Sequence, residues 1–218
     1  MPRLDAVDMV LNPKLSSILD VIDQILEGVA YLHDQRVAHM DLWDGNVLAA
    51  TEQEARRVEA GRVYIIDFDR SRRLPLKPGV QGPVSLPDTV CRHPPGITQL
   101  DPYSWDVYCI GDMLRSYLRV GLLTEEFSLT TSPKTMYREK PIASIARLYV
   151  NWLIGNERGC KAACRCRPTA HRRPTAHRAR QVLTIVRWAN LVSEFCRNVR
   201  HYWILPAGKQ PVSPARSL

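Results

Sequence analysis

His39-Met40-Asp41-Leu42-Trp43-Asp44-Gly45-Asn46, followed by Val63-Tyr64-Ile65-Ile66 ending on Asp67-Phe68-Asp69, decides how this chain is read. The two segments supply an acid, an amide five residues later, and a second acid at the tip of an apolar, β-branched run. A side-chain amide oxygen and a carboxylate are the hard oxygen donors that Mg²⁺ prefers, and a further carboxylate can orient a hydroxyl or take its proton. These residue types are poor core material, so their recurrence beside apolar runs points to a site. Each half alone has a plainer reading: H-x-D-x-x-x-x-N arises by accident, and an Asp after a β-branched run suits a strand end and turn.

In order, the two segments resemble the catalytic loop and metal-binding acid of the eukaryotic protein kinase family, H-R-D-L-x-x-x-N followed by D-F-G. The flanks repeat the family's order. Upstream, Ile18, Leu19, Ile22, Ile25, Leu26, Val29 and Leu32 recur at three- and four-residue steps, which predicts a helix over 15–34 with one buried stripe, capped by Asn12 or Ser16. Its end, Tyr31-Leu32-His33, looks like the long helix that delivers the chain into the kinase catalytic loop. Downstream, Asp106 to Gly111 is similar to the D-x-x-x-x-G helix start whose acid braces that loop, and Arg173-Pro174-Thr175-Ala176 looks like the arginine-bearing motif late in the domain.

The resemblance implies a mainly α fold with a small β-hairpin element, the C-terminal lobe of a protein kinase, over roughly residues 10–200. Residues 1–14 precede the first helix, too few for a five-stranded N-lobe, and no glycine-rich loop or V-A-I-K lysine is found, so the N-lobe is expected to be absent and the chain truncated. The implied activity is ATP- and Mg²⁺-dependent phosphoryl transfer to protein Ser/Thr hydroxyls, with the isolated chain, lacking the N-lobe, expected to be weak or inactive. Asp41 would be the catalytic base, Asn46 and Asp67 would hold Mg²⁺ and nucleotide, and His39, Phe68, Asp106 and Arg173 would be structural supports. A protein substrate or partner is implied, as is an apolar surface left for a missing N-lobe or partner to cover.

Departures from the family pattern each remove a function. Met40 replaces the arginine that captures an activation-segment phosphate, and Trp43 replaces a lysine, so developing charge must be met by another cation or the rate falls. Asp69 stands for a glycine, losing backbone freedom while adding a carboxylate near the metal. Gly96, in His93-Pro94-Pro95-Gly96, falls where an acid normally pairs with the late arginine, so Arg173 is expected to be either unpaired or paired elsewhere. Two alternatives stay open: a non-catalytic, pseudokinase-like binding module, and a small-molecule kinase of the same superfamily, whose D-x-D ending and catalytic loop are similar but which lacks the D-x-x-x-x-G and R-P-T-A motifs.

At 218 residues and 45% hydrophobic, the chain can bury one full core. No apolar run is long enough to span a membrane and no secretory leader is evident, so an intracellular location, cytoplasm or nucleus, is expected. That setting favours free thiols for the six cysteines. The Cys160, Cys164, Cys166 cluster lacks the C-x-x-C spacing of common zinc modules. Residues 167–172 and 173–178 are a perfect tandem Arg-Pro-Thr-Ala-His-Arg repeat, too short for a solenoid, and the second copy is expected to be structural because it leads into Ala179, Val182, Leu183 and Val186. The net charge of +8 concentrates here, in Lys161, Arg165, Arg167, Arg172, Arg173, Arg178, Arg180 and Arg187. Such a run more often marks a solvated surface than a site for nucleic acid or an anionic membrane face, no nucleic-acid fold motif accompanies it, and an acidic protein partner is an equal alternative to nucleic acid.

The expected order is one domain over 1–205 and a disordered tail over 206–218. Within it lie the catalytic loop 39–46, strands near 46–50 and 62–66, the metal-binding strand end 67–69 and the activation segment 70–96. Proline and glycine make 70–100 an irregular surface loop, followed by helices near 103–119, 140–155 and 178–203.

Overall fold

The structure is a computed structural model and describes residues 4–7, 12, 14–50, 61–127, 141–155, 162–163 and 173–204. The tail, the first hexapeptide copy and the Cys160/Cys164/Cys166 cluster lie outside these residues. The first helix, α1 (Leu15–Asp34), buries Ile18, Leu19, Ile22, Ile25, Leu26 and Val29, as the spacing requires. Its start corrects the capping expectation: Lys14 occupies the cap position without a side-chain bond, and the Asn12 carboxamide oxygen instead accepts the Lys14 N–H at 3.0 Å. The helix closes through Arg36, held at φ 61°, whose N–H donates to the His33 carbonyl at 3.0 Å.

Three small sheets accompany the helix, one of them begun by a strand that precedes it. Strand β1 (Leu4–Ala6) pairs with β3 (Val47–Ala50), which pairs in turn with β4 (Val63–Ile65), all antiparallel. The hairpin is therefore found where expected, the first strand starting one residue later and the second one residue shorter at each end, with β1 as a third strand. Strand β2 (Val37–Ala38) pairs with β5 (Arg72–Arg73), and β6 (Val84–Ser85), β7 (Ile97–Leu100) and β8 (Ala162–Ala163) form the last sheet. The segment expected to be an irregular surface loop over 70–100 is thus corrected in part: it carries three short strands and is tied down. Leu74 N–H reaches the Arg36 carbonyl at 2.7 Å, the Tyr103 hydroxyl reaches the Leu76 carbonyl at 2.7 Å, and Cys91, Ile97 and Leu100 are buried. In its Pro94-Pro95-Gly96-Ile97 turn the Ile97 N–H donates to the Pro94 carbonyl at 3.0 Å, with Gly96 at φ 75°. Proline second and a left-handed glycine third is the pattern of a type II turn, so backbone geometry excludes an acid at 96 without strain.

Helix α2 (Pro102–Phe127) runs beyond the expected end at 119, passing through Gly121, whose helix penalty of about 1 kcal/mol does not stop it. Helices α3 (Pro141–Ile154) and α4 (Ala176–Ile204) complete the fold; α1 packs on α2 and α4, and α3 on α2 and α4. Gly111 makes the α2–α3 crossing possible, since a Cβ there would lie 2.9 Å from the Leu153 Cβ and 3.1 Å from the Ile154 backbone N. Helix α4 buries Ala176, Ala179, Leu183 and Val186, and its cations are bound to α1: Arg180 to Asp23 at 3.1 Å and Glu27 at 3.0 Å, Arg187 to Asp23 at 2.9 Å and to Asp20. These two cations of the basic run are thus paired within the chain, to the acids of its first helix.

Helix α2 opens on an Asp-Pro start suited to a helix N-terminus. Buried Asp101 accepts the Tyr103 N–H at 3.3 Å and the Ser104 hydroxyl at 3.0 Å. Burial outweighs those bonds and pushes its carboxyl up from 3.8 to about 6. A folded-state value above the unfolded one favours the protonated form, so this group's stabilisation is present below pH 3.8 and lost as pH rises through about 6. The gap corresponds to a loss on the order of 2–3 kcal/mol. Asp101→Asn keeps the shape without the charge. Urea unfolding at pH 4, 5, 6 and 7 should show the variant gaining on the parent chain across that window; a constant difference would mean that the carboxyl titrates normally.

Candidate active site

The catalytic-loop segment hangs from one carboxylate. Asp106, fully buried in the first turns of α2, accepts the His39 N–H on Oδ2 and the Met40 N–H on Oδ1, both at 2.8 Å, while His33 Nε2 from the end of α1 lies 3.0 Å from Oδ2. From the adjacent position the Trp105 indole N–H donates to the Met40 carbonyl at 3.0 Å. Both backbone polar groups of Met40 are therefore held, which keeps a non-glycine residue at φ 70°. Such a conformation is costly and persists only where its surroundings over-determine it. Asp106 thus holds two backbone N–H groups of the loop, and Trp105 and His33, which the sequence reading did not anticipate, share that support.

His39 joins the loop to the hairpin. Its ring is buried, with Nε2 3.0 Å from the Ile66 carbonyl and Nδ1 accepting the Asp41 N–H at 3.3 Å; a ring carrying its hydrogen on Nε2 meets both. Asp41 and Asn46 are linked in turn, because the Asn46 amide nitrogen donates to the Asp41 carbonyl at 2.8 Å. That bond occupies the nitrogen end of the carboxamide and leaves its oxygen as the ligand end. Across the hairpin Val47 stands opposite Ile65 and the Ile66 N–H donates to the Asn46 carbonyl at 3.0 Å, so Asn46 and Asp67 occupy adjacent strand ends. Asp67 is exposed at φ 60°, and its carboxylate accepts the Asp69 N–H at 3.4 Å. An amide oxygen and a largely open carboxylate side by side suit a cation that keeps most of its shell in water and phosphate. Among the described residues no three His, Cys, Asp or Glu side chains form a metal cluster.

Phe68 corrects the packing expectation in part. Its ring lies 4.9 Å from that of His39, but the residue is 46% exposed, because the left-handed turn at Asp67 carries the chain outward. Trp43 folds back over Gly45, where a Cβ would meet the indole at 2.3 Å, so the indole and the bare glycine require each other. Arg70, which sequence reasoning missed, points its Nε at Asp41 Oδ2 across 3.8 Å. Ser71 donates its hydroxyl to the His39 carbonyl at 3.2 Å.

Arg173 does find a partner other than an acid at 96. Its Nε donates to the Leu153 and Ile154 carbonyls at 3.1 and 3.0 Å, at the C-terminal end of α3, and its guanidinium sits 5.1 Å from the Tyr108 ring centroid. Helix carbonyls carry partial negative charge, so a cation there serves where a carboxylate would. Gly155, at φ 75°, leaves the space the side chain crosses.

The family model of the protein kinase domain matches residues 9–125, more than half of the chain, and the chain belongs to that family. The match contains 39–46, 67–69 and 106–111 but stops short of Arg173. Two curated relatives are similar over 115 residues. A putative serine/threonine-protein kinase R436 of Acanthamoeba polyphaga mimivirus is 28% identical over 50% of this chain and 36% of its own length. The serine/threonine-protein kinase PLK4 of Nematostella vectensis is 33% identical over 48% of this chain and 10% of its own length. The chain thus spans about a third of one and a tenth of the other.

Removing the Asp106 carboxylate strands two buried N–H groups at a strained peptide. Asp106→Ala is expected to lower the unfolding free energy by about 3–5 kcal/mol in denaturant titration. A loss below about 1 kcal/mol would show that the loop is held by something else.

Proposed function

We propose that residues 4–204 form the C-lobe of a protein kinase domain and that its site transfers the ATP γ-phosphoryl group to Ser or Thr hydroxyls of protein substrates. The observation that carries this reading is the adjacency of Asp41, Asn46 and Asp67, held in one rigid loop and hairpin by Asp106 and His39. Asp41 orients the acceptor hydroxyl and receives its proton; Asn46 and Asp67 present the oxygen ligands for Mg²⁺, which when bound draws charge off the phosphate oxygens. The serine/threonine specificity rests on the names of the two relatives.

Two substitutions separate the roles. Asp67→Asn should abolish the rise in melting temperature produced by Mg-ATP in the parent chain. Asp41→Asn should leave that rise intact while peptide labelling from radioactive ATP falls by about 10²–10⁴-fold. No rise in the parent chain would remove the nucleotide site from the reading. Labelling of sugars or amino alcohols instead of peptides would favour a small-molecule kinase.

Trp43, where a cation is expected, favours a second reading: a module that binds nucleotide or partner without turnover. Arg70 is the side chain able to separate the two. Half-exposed and within 3.8 Å of Asp41, it can swing to the transferring group and supply the positive charge that an indole cannot. On the first reading Arg70→Ala lowers kcat on the order of 10²-fold with KM for peptide little changed. An unchanged or faster rate would show that Arg70 only shields Asp41.

A further inference from the structure

Helix α4 is apolar on two opposite faces. One face, Ala176, Ala179, Leu183 and Val186, is spent on the core. On the other, Ile185, Trp188, Val192, Phe195 and Val199 are between 36 and 68% exposed and follow a strict alternation of three- and four-residue steps. An apolar stripe of that narrow period is the seam of a coiled coil, whereas the apolar face of an ordinary surface helix is broader and turned inward. It runs about 21 Å along the helix.

We propose that this seam binds the same seam of a second copy of the chain, in antiparallel orientation. Electrostatics favour a copy over other occupants. Although the chain carries +8, the positions flanking the seam, Thr184, Ala189, Leu191, Cys196 and Asn198, carry no charge, so two copies meet without like charges opposed. Two of this helix's cations, Arg180 and Arg187, are engaged by Asp20, Asp23 and Glu27 of α1 and are not offered to anionic headgroups, which weighs against a membrane surface. The chain segments outside the described residues, 1–3, 8–11, 13, 51–60, 128–140, 156–161, 164–172 and 205–218, hold no apolar run longer than the three residues Met9-Val10-Leu11, too short to cover a seam of this length.

Size and shape agree. With Leu191 beside them, the exposed portions of these side chains amount to roughly 600 Å² per copy, near the roughly 800 Å² per partner of a stable complex. Antiparallel pairing sets each aromatic against a branched aliphatic, Phe195 against the other copy's Val192 and Trp188 against its Val199. Parallel pairing would stack Trp on Trp and Phe on Phe in uneven layers. Facing large against small is how such layers fill space. Antiparallel helices also keep the two basic bodies at opposite ends of the seam.

Sedimentation of the full chain from roughly 1 to 100 µM tests this. The parent chain should approach twice its 24.8 kDa mass. Trp188→Glu with Phe195→Glu should sediment as monomer with an unchanged far-ultraviolet circular dichroism spectrum, while Arg197→Glu, on the same helix off the seam, should remain dimeric. Val192→Phe alone should weaken association at least tenfold, and adding Phe195→Val should restore it; failure to restore overturns the antiparallel pairing. A parent chain that stays monomeric to about 100 µM overturns the proposal, as does a dimer that survives the double Glu change. A monomer that binds phosphatidylserine–phosphatidylcholine vesicles through Trp188 and Phe195 would assign the seam to a membrane instead.

Discussion

A single buried carboxylate organises this structure. Asp106 has no exposure to solvent, yet it accepts two backbone N–H groups from the catalytic-loop segment and faces the His33 ring. An ionisable group in such a place is tolerated only because its hydrogen-bonding capacity is used. Once it is there, the loop cannot move without abandoning a desolvated acceptor. Helices α1 and α2 and the loop between α1 and the hairpin are thereby locked into one arrangement, and Met40 is held in a conformation that its own side chain disfavours.

The site inherits its order from that lock. Asp41 follows Met40 directly, His39 ties the loop to the carbonyl that precedes Asp67, and the hairpin register brings Asn46 to the same edge. On the proposed reading the groups offered to substrate and Mg²⁺ range from buried Asn46 through half-buried Asp41 to exposed Asp67 and Arg70, while those that fix the geometry, Asp106, His39, Trp105 and Met40, are buried. A buried frame beneath an exposed, charged rim lets the groups be placed accurately.

The basic C-terminal part of the chain divides into three uses of charge. Arg173 neutralises the end of α3, Arg180 and Arg187 clasp the acids of α1, and beyond Val186 the helix offers an uncharged apolar edge. None of these could be told apart by counting cations. The run that resembles an anion-binding tract is, in its described portion, largely consumed by internal pairing.

The buried stripe of α1, the hairpin and the motif positions were legible in the sequence because periodicity and residue type act locally: side chains at helical spacing share a face, and an acid at a strand tip must turn to solvent. Asp106 was recognisable as a brace only through the resemblance of the segment from Asp106 to Gly111 to the family's D-x-x-x-x-G helix start. What the sequence could not specify was decided by tertiary packing. Trp105 and His33 became supports only when α1 met α2, and Arg70 reached Asp41 only through the left-handed turn at Asp67. The segment after Arg70 gained strands because β2 and β7 lay within reach of it. Arg173 found helix carbonyls rather than an acid because Gly155 left it room. Each of these joins residues distant in the chain, and composition and spacing carry no information about which distant surfaces will meet.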